Sequence, residues 1–450
     1  MKCHRRIKSM RLATLFLFFT FLIILTLPMH SSFADETQLN DSTIILTDST
    51  IETVGDSLAA AVTSESGEND FVYPMSPERK DKLISYSRFT NIWRFASFFI
   101  GIAFLLIVLF SKLSARFRLW ANAISKNKIL EYSIYIILFT LFMYLINLPV
   151  DYYRNFLIEH EYGFSNQTAG EWFGEGLKGL GLELFFSVII ISILYRLINK
   201  TKKWWLYFAI GAIPFMVFIF IIAPVVITPM FNEFKPLQDK ELATEMTALA
   251  EKAGIHNPDI YKVDGFKQSN KINAYFIGMF GTKRIVLYDT IIKNFTTDEL
   301  KFVMAHEIGH YIKNHIWYGL FSAVLMIFVI CWSMNKLLHK IIGRYRDKFG
   351  FDRLGNIASL PLVMLFISIF SFITQPVTNG FSRIMEYQAD RFGLELSGVT
   401  DEVAVTAFDK LSVYNLSDPD PADIIEFWFY SHPTLKKRMA NVREIYKEIN

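Results

Sequence analysis

Two cysteines in 450 residues, Cys3 and Cys331, are too few for a disulfide framework. Glycine, at 22 residues, is far too sparse for a collagen-like repeat. Charge is scarce too. Asp, Glu, Lys and Arg make up 20% of the chain, against about 25% in an ordinary soluble domain. So low a charged fraction, with so much apolar residue beside it, excludes a wholly disordered chain. The formal net charge is only +3, and no Lys/Arg-rich face interleaved with aromatics is present, which excludes nucleic acid as a partner. What the sequence has in excess is oil. Hydrophobic residues reach 52%, there are 43 Phe, and mean hydropathy is +0.29. A membrane protein is the class these numbers favour, with the lipid bilayer as its first partner.

The N-terminus reads MKCHRRIKSMR, then an apolar stretch from Leu12 to Leu27, then Ser32-Phe33-Ala34. That is the layout of a secretory signal over 1–34, with an uncleaved anchor helix as the alternative. Between Asp35 and Asp70 lie nine acidic residues and no Lys or Arg. Such a stretch cannot bury enough apolar surface to offset ordering, so 35–74 reads as a flexible acidic tail. Six hydrophobic segments follow, near Phe95–Phe110, Ile129–Val150, Gly179–Ile198, Trp204–Thr228, Ile316–Met334 and Ile357–Thr378. A span needs about 20 residues of helix, which the first reaches only with help from its flanks. Pro214, Pro224 and Pro229 predict a kink or break in the fourth.

Positive charge in short loops is retained on the cytoplasmic side. The 112–128 loop carries five Lys/Arg and no acid, 196–203 carries four and none, and 336–353 carries six against Asp347 and Asp352. The intervening 151–178 loop has five acids and two bases. The alternation predicts four spans over 75–230, an extracytoplasmic segment at 231–315, two more spans over 316–378, and an extracytoplasmic C-terminal region at 379–450. A signal segment of this kind points to a bacterial inner membrane.

Residues 235–311 have soluble composition. Leu242, Met246, Leu249, Ala250 and Ala253 recur at helical spacing, closed by Gly254. A short strand at 259–263 and a hairpin with arms at 272–280 and 284–288 follow. Thr296 and Glu299 form a capping box, so a helix is predicted to begin there and to run into His306-Glu307-Ile308-Gly309-His310. Residues four apart share a helix face, so both imidazoles can meet one Zn²⁺. Glu307 beside them is the residue type that activates water and carries its proton to a leaving amine. Two unrelated surface histidines are the bland reading, and a third ligand would displace it. Glu386, in the helically spaced stretch 381–390, can complete a His2Glu set with an open fourth position, and Asp390 four residues on can orient a ligand imidazole.

Several blocks in order resemble the M48 zinc metallopeptidases, in the type 1 CAAX prenyl protease (Ste24-like) branch. They are DYYRNFLIEHEYGFSNQT at 151–168, VDGFKQSNKINAYF at 263–276, KRIVLYDT at 283–290, HEIGH at 306–310, SRIMEYQAD at 382–390 and SHPTLKKR at 431–438. The resemblance implies one zinc ion held by His306, His310 and Glu386, with Glu307 as general base. It implies Asp390 as a partner of His306, Arg438 as a supporting cation, and His432 as a stabiliser of the developing oxyanion. It also implies that Asn273, Ala274 and Tyr275 form an edge strand on which an extended peptide pairs. The fold implied is mostly α: a multi-pass helical membrane chamber with an inserted small α+β, zincin-like metallopeptidase domain. Glu183, inside a span, would face that chamber, or else lie at an interface.

The expected activity is a membrane-embedded zinc metalloendopeptidase acting on extended or C-terminal segments. Its polypeptide substrate is either a prenylated CAAX-type terminus or a misfolded membrane protein in quality control. A zinc-stabilised scaffold without proteolysis is the reading from another class, and Glu307 argues against it. Oligomeric state is not legible in the sequence.

Overall fold

The computed structural model describes residues 75–279 and 282–450; the signal segment and the acidic tail read from the sequence lie outside the described residues. Helix α1 (Pro77–Phe110) starts at Ser76, whose hydroxyl accepts from the Arg79 backbone N–H, and Pro77 supplies a preset φ at its first position. A short helix, α2 (Leu113–Ile124), connects it to α3 (Lys128–Glu161). Helix α4 (Ala169–Lys200) opens on a capping box of Thr168 and Glu171. Helix α5 (Trp204–Ile222) passes Pro214, then loosens into a π turn at Ala223–Ile227 and a 3₁₀ turn at Thr228–Met230. Pro224 and Pro229 lack the N–H groups a regular helix would use there, so the sequence's prolines mark where the helix loosens.

The chain then leaves the helical bundle. Strand β1 (Phe234–Pro236) precedes helix α6 (Lys240–Lys252), capped by Asp239, and strand β2 (Asp259–Val263). The hairpin is β3 (Ala274–Met279) and β4 (Thr282–Tyr288). The sheet order is β1-β2-β4-β3, with β2 and β4 parallel and the other pairs antiparallel. Tyr275 lies opposite Val286, and β3 is an outer strand. The three-residue β1 escaped the sequence reading because it is too short to show a period.

Helices α7 (Asp289–Asn294) and α8 (Thr297–Ile312) lead to α9 (His315–Phe349) and α10 (Leu360–Ser397). The last two have 35 and 38 residues. At 1.5 Å per residue each is over about 50 Å long, well beyond a hydrocarbon core of about 30 Å, so each projects out of the bilayer. Helix α10 therefore carries the last apolar stretch and the Glu386 region on one unbroken rod. Helices α11 (Asp401–Asn415), α12 (Asp423–Phe429) and α13 (Leu435–Ile449) complete the chain.

Among the described residues six helices are long and apolar enough to cross a membrane. Neighbour packs on neighbour in a closed circuit: α1, α10, α9, α5, α4, α3, then back to α1 through α2. Their shared core includes Tyr135, Ile190, Tyr195, Phe208, Phe215 and Leu338. A second core joins chain segments on both sides of α9: Met246, Ile285, Leu287, Phe302 and Ile308 pack with Phe408 and Val442.

The three basic loops meet at one end of the bundle. Ser114 donates to the Ala358 carbonyl at 2.6 Å, and Asn199 donates to the Gly355 carbonyl at 2.8 Å. Phe110 packs its ring on Phe349 at the same end. At the other end of α1, Arg79 donates to the Val413 carbonyl at 3.0 Å, and nearby Lys271 pairs with Glu159 at 3.3 Å. The sheet and the second core sit at that far end.

Candidate metal centre

Helix α8 is fixed at its start by the capping box, in which Thr296 accepts from Glu299 N–H and Glu299 accepts from Thr296 N–H at 2.7 Å. Glu299 also pairs with buried Lys410 of α11 at 2.7 Å, which ties this end of α8 to the second core. One face of α8 lies against α10 at unusually short range, and the sequence makes that possible with small residues. A Cβ on Gly393 would stand 3.3 Å from the His306 backbone nitrogen, and one on Gly309 would stand 3.1 Å from the Phe392 ring. Ala305 and Ala389 are fully buried in the same contact.

That approach brings three side chains together. His306 and His310 present their Nε2 atoms 3.1 Å apart, and each Nε2 lies 3.3 Å from a Glu386 carboxylate oxygen. Tetrahedral bonds of about 2.0–2.2 Å to zinc put neighbouring ligand atoms about 3.3–3.6 Å apart, so the spacing suits one such ion. Glu386 supplies a second sign: its Oε2 is buried and, with His306 Nε2 at 3.3 Å and Arg438 at 3.6 Å, lacks a well-formed hydrogen bond. A desolvated carboxylate oxygen in that state is costly unless a cation takes the place of the missing donors. The donor set of two imidazoles and a carboxylate fits a zinc ion with one position open.

The surrounding charges match. Asp390 is fully buried and its Oδ1 lies 2.9 Å from His306 Nδ1. Arg438 donates to Asp390 through two nitrogens, lies 3.6 Å from Glu386 Oε2, and stacks on the Phe408 ring at 4.5 Å. Burial pulls the His306 imidazolium down, but Asp390 and Glu386 outweigh it and push its pKa up to about 10. The pocket thus favours a positive charge between two carboxylates.

His432, on the turn before α13, brings its Nε2 to 3.3 Å from Glu386 Oε1, while its Nδ1 is 3.0 Å from Ser431 Oγ. Its ring is one-third exposed, which leaves an approach from solvent. Glu307 is half-buried next to His306 on α8. Asn273 precedes β3, and its carbonyl accepts from the Tyr288 N–H at 3.1 Å; Ala274 and Tyr275 begin the outer strand itself. Glu183 is half-buried within α4. The sequence reading missed His315, whose ring lies against His310, and Gln388, whose amide lies against His315. The signal for His315 was faint, because a residue five positions from His310 does not share its face on a continuous helix.

Two family models together match most of the chain. "Peptidase family M48" matches residues 236–446, and "CAAX prenyl protease N-terminal, five membrane helices" matches 69–233. An uncharacterized metalloprotease of Bacillus subtilis, YhfN, is 32% identical, over 82% of this chain and 88% of that protein. CAAX prenyl protease 1 of Saccharomyces cerevisiae is 33% identical, over 66% of this chain and 68% of its own. The crystal structure of S. mikatae Ste24p superposes with a TM-score of 0.73 at 26% identity, covering 88% of this chain and 96% of that one. With the six long helices and the sheet-bearing unit at one end of the bundle, these matches establish that the chain belongs to peptidase family M48, in its CAAX prenyl protease 1 branch, and is a membrane zinc metalloprotease.

Proposed function

We propose that the protein is an endopeptidase that hydrolyses extended or C-terminal polypeptide segments at the site where α8, α10 and the turn before α13 converge. The observation that carries this reading is the convergence of His306, His310 and Glu386 within 4.8 Å, next to Glu307. His306, His310 and Glu386 would hold one Zn²⁺, which when bound makes water nucleophilic near neutral pH and polarises a scissile carbonyl.

The chain's own groups do the rest. Asp390 accepts from His306 Nδ1–H, which leaves Nε2 as the lone-pair donor, and Arg438 neutralises Asp390 in the buried pocket. Glu307 takes a proton from the attacking water and passes it to the departing amide nitrogen. His432, whose Nε2 lies 3.3 Å from Glu386 Oε1, donates to the oxygen that gains charge as the carbonyl becomes tetrahedral. The outer edge of β3 at Asn273-Ala274-Tyr275 offers main-chain hydrogen bonds to an extended peptide, which would set its register past the metal.

The substrate class divides into prenylated CAAX-type C-termini, by analogy with the relatives of that name, and misfolded membrane proteins. A bacterial inner membrane, with the catalytic end outside the cytoplasm, favours the second, since the positive loops lie at the opposite end from the site. The test compares cleavage of one peptide with and without a prenyl group by the zinc-loaded protein in lipid nanodiscs. Preference for the modified peptide selects the first class, equal rates select the second, and no cleavage of either by a fully zinc-loaded protein refutes the peptidase reading of this site.

A further inference from the structure

His315 is the first residue of α9, and nothing in the mechanism above uses it. Between it and the metal helix the chain turns through Asn314, whose φ of +60° ends α8 and restarts the helix in a new direction. That break, rather than helical periodicity, brings the His315 ring back onto His310. The ring is buried, with its Nδ1 2.9 Å from Nδ1 of His310 and its Nε2 3.1 Å from Gln388 Oε1.

For a neutral His315 facing the Gln388 amide oxygen, these contacts leave one placement of hydrogens. An amide oxygen only accepts, so His315 Nε2 must carry the hydrogen. A neutral His315 then has a bare Nδ1, which can only accept, so the hydrogen between the two rings belongs to His310 Nδ1. With Nδ1 protonated, His310 presents Nε2 as a lone pair toward His306 Nε2 and Glu386 Oε1. We propose that His315 and Gln388 are positioning residues that lock His310 in its metal-ready tautomer through a neutral two-link relay, complementary to the carboxylate that locks His306. The relay rests on the reading of His310 as a metal ligand.

The consequence is an asymmetric site. Glu386, Gln388 and Asp390 occupy alternate positions along α10. The first faces the metal position, the third holds His306 by a charged bond, and the second holds His310 through a neutral one. Because His315 also begins a long membrane helix, the orientation of one ligand is tied directly to the seating of α9.

The experiment uses the full chain in nanodiscs. The Zn²⁺ dissociation constant is measured by chelator competition, and the visible absorption of the Co²⁺-substituted protein reports ligand geometry. His315→Phe keeps ring volume without an acceptor and should weaken zinc binding by about 10- to 100-fold and alter the Co²⁺ bands. His315→Asn places an amide oxygen near the former Nδ1 and should recover most of the affinity. Combining His315→Phe with Gln388→Leu should weaken binding no further than His315→Phe alone. Wild-type affinity and spectrum in His315→Phe, or a His315→Asn variant no better than His315→Phe, would overturn the relay. If His315→Phe does not yield folded protein, Gln388→Leu carries the test alone, with a several-fold rise in the dissociation constant expected and an unchanged value overturning the relay. Retention of zinc by His310→Ala would instead refute the ligand reading on which the relay depends.

Discussion

Arg438 grips Asp390 with two nitrogens, Nε to Oδ2 at 3.0 Å and a terminal nitrogen to Oδ1 at 2.6 Å, and both side chains are buried. The pair joins α13 to α10 directly behind His306. Removing one partner of a buried ion pair strands the other charge at a cost of about 3–5 kcal/mol. Arg438→Met should therefore lower the thermal unfolding temperature of the detergent-solubilised protein markedly, while Arg438→Met with Asp390→Leu should recover part of that loss. The double variant should still bind zinc about 10- to 100-fold more weakly, because His306 has lost its oxygen partner. Equal stability of the single and double variants would show that the stranded charge is not what destabilises.

Glu307 and Glu386 are both carboxylates near the two histidines, and the proposed mechanism gives them separable tasks. Glu307→Gln should keep one zinc per chain and lose about 10²–10⁴-fold in kcat, the usual worth of a general base. Glu386→Ala should lose the metal itself. Metal analysis beside peptide-cleavage rates checks both. A zinc-replete Glu386→Ala protein would move the third ligand elsewhere.

The centre was legible in the sequence where chemistry and periodicity coincide. His306 and His310 lie one helical turn apart, and the Thr296–Glu299 box announces the helix that carries them. Glu386 and Asp390 were readable for the same reason, being four residues apart on α10. Arg438 was singled out by motif resemblance alone; its role as the counter-charge behind His306 needs the packing of α13 on α10, a contact 48 residues long in sequence. His315 gave only a faint signal and Gln388 none. Their meeting depends on the positive φ of Asn314 and on the close glycine contact between α8 and α10, neither of which has a local signature. The helices were found as hydrophobic runs, but their lengths were underestimated. Helices α1, α9 and α10 extend well past the apolar stretch into polar, amphipathic sequence.

His432 differs from His306 and His310 in being one-third exposed and in approaching Glu386 from a turn rather than a helix. A group in that position is suited to charge that appears during reaction rather than to holding a resident ion. His432→Ala should reduce kcat by about 10²–10³-fold, as loss of an oxyanion donor does, with little change in zinc content. His432→Gln should retain more activity than the alanine variant, since its amide can still donate. A drop in zinc stoichiometry in either variant would assign His432 to the metal instead.

The final prediction concerns which way the molecule faces. Ser114 on Ala358 and Asn199 on Gly355 gather the loops at 112–128, 196–203 and 336–353 on one end of the bundle. Together those loops carry fifteen Lys/Arg against two acids. Arg79 on Val413 holds the catalytic end a full α1 length away. Charge retention on the cytoplasmic side would then direct α13 and the chain end after it outward. A tag placed after Asn450 in a bacterial host should be digested by protease once the outer barrier is opened, with the cytoplasmic membrane intact. Replacing the six Lys/Arg of 336–353 with Gln should weaken that preference and yield a mixed population. Digestion only after the cytoplasmic membrane is breached would invert the whole arrangement, and the polypeptides available to the site would then be those of the cytosol.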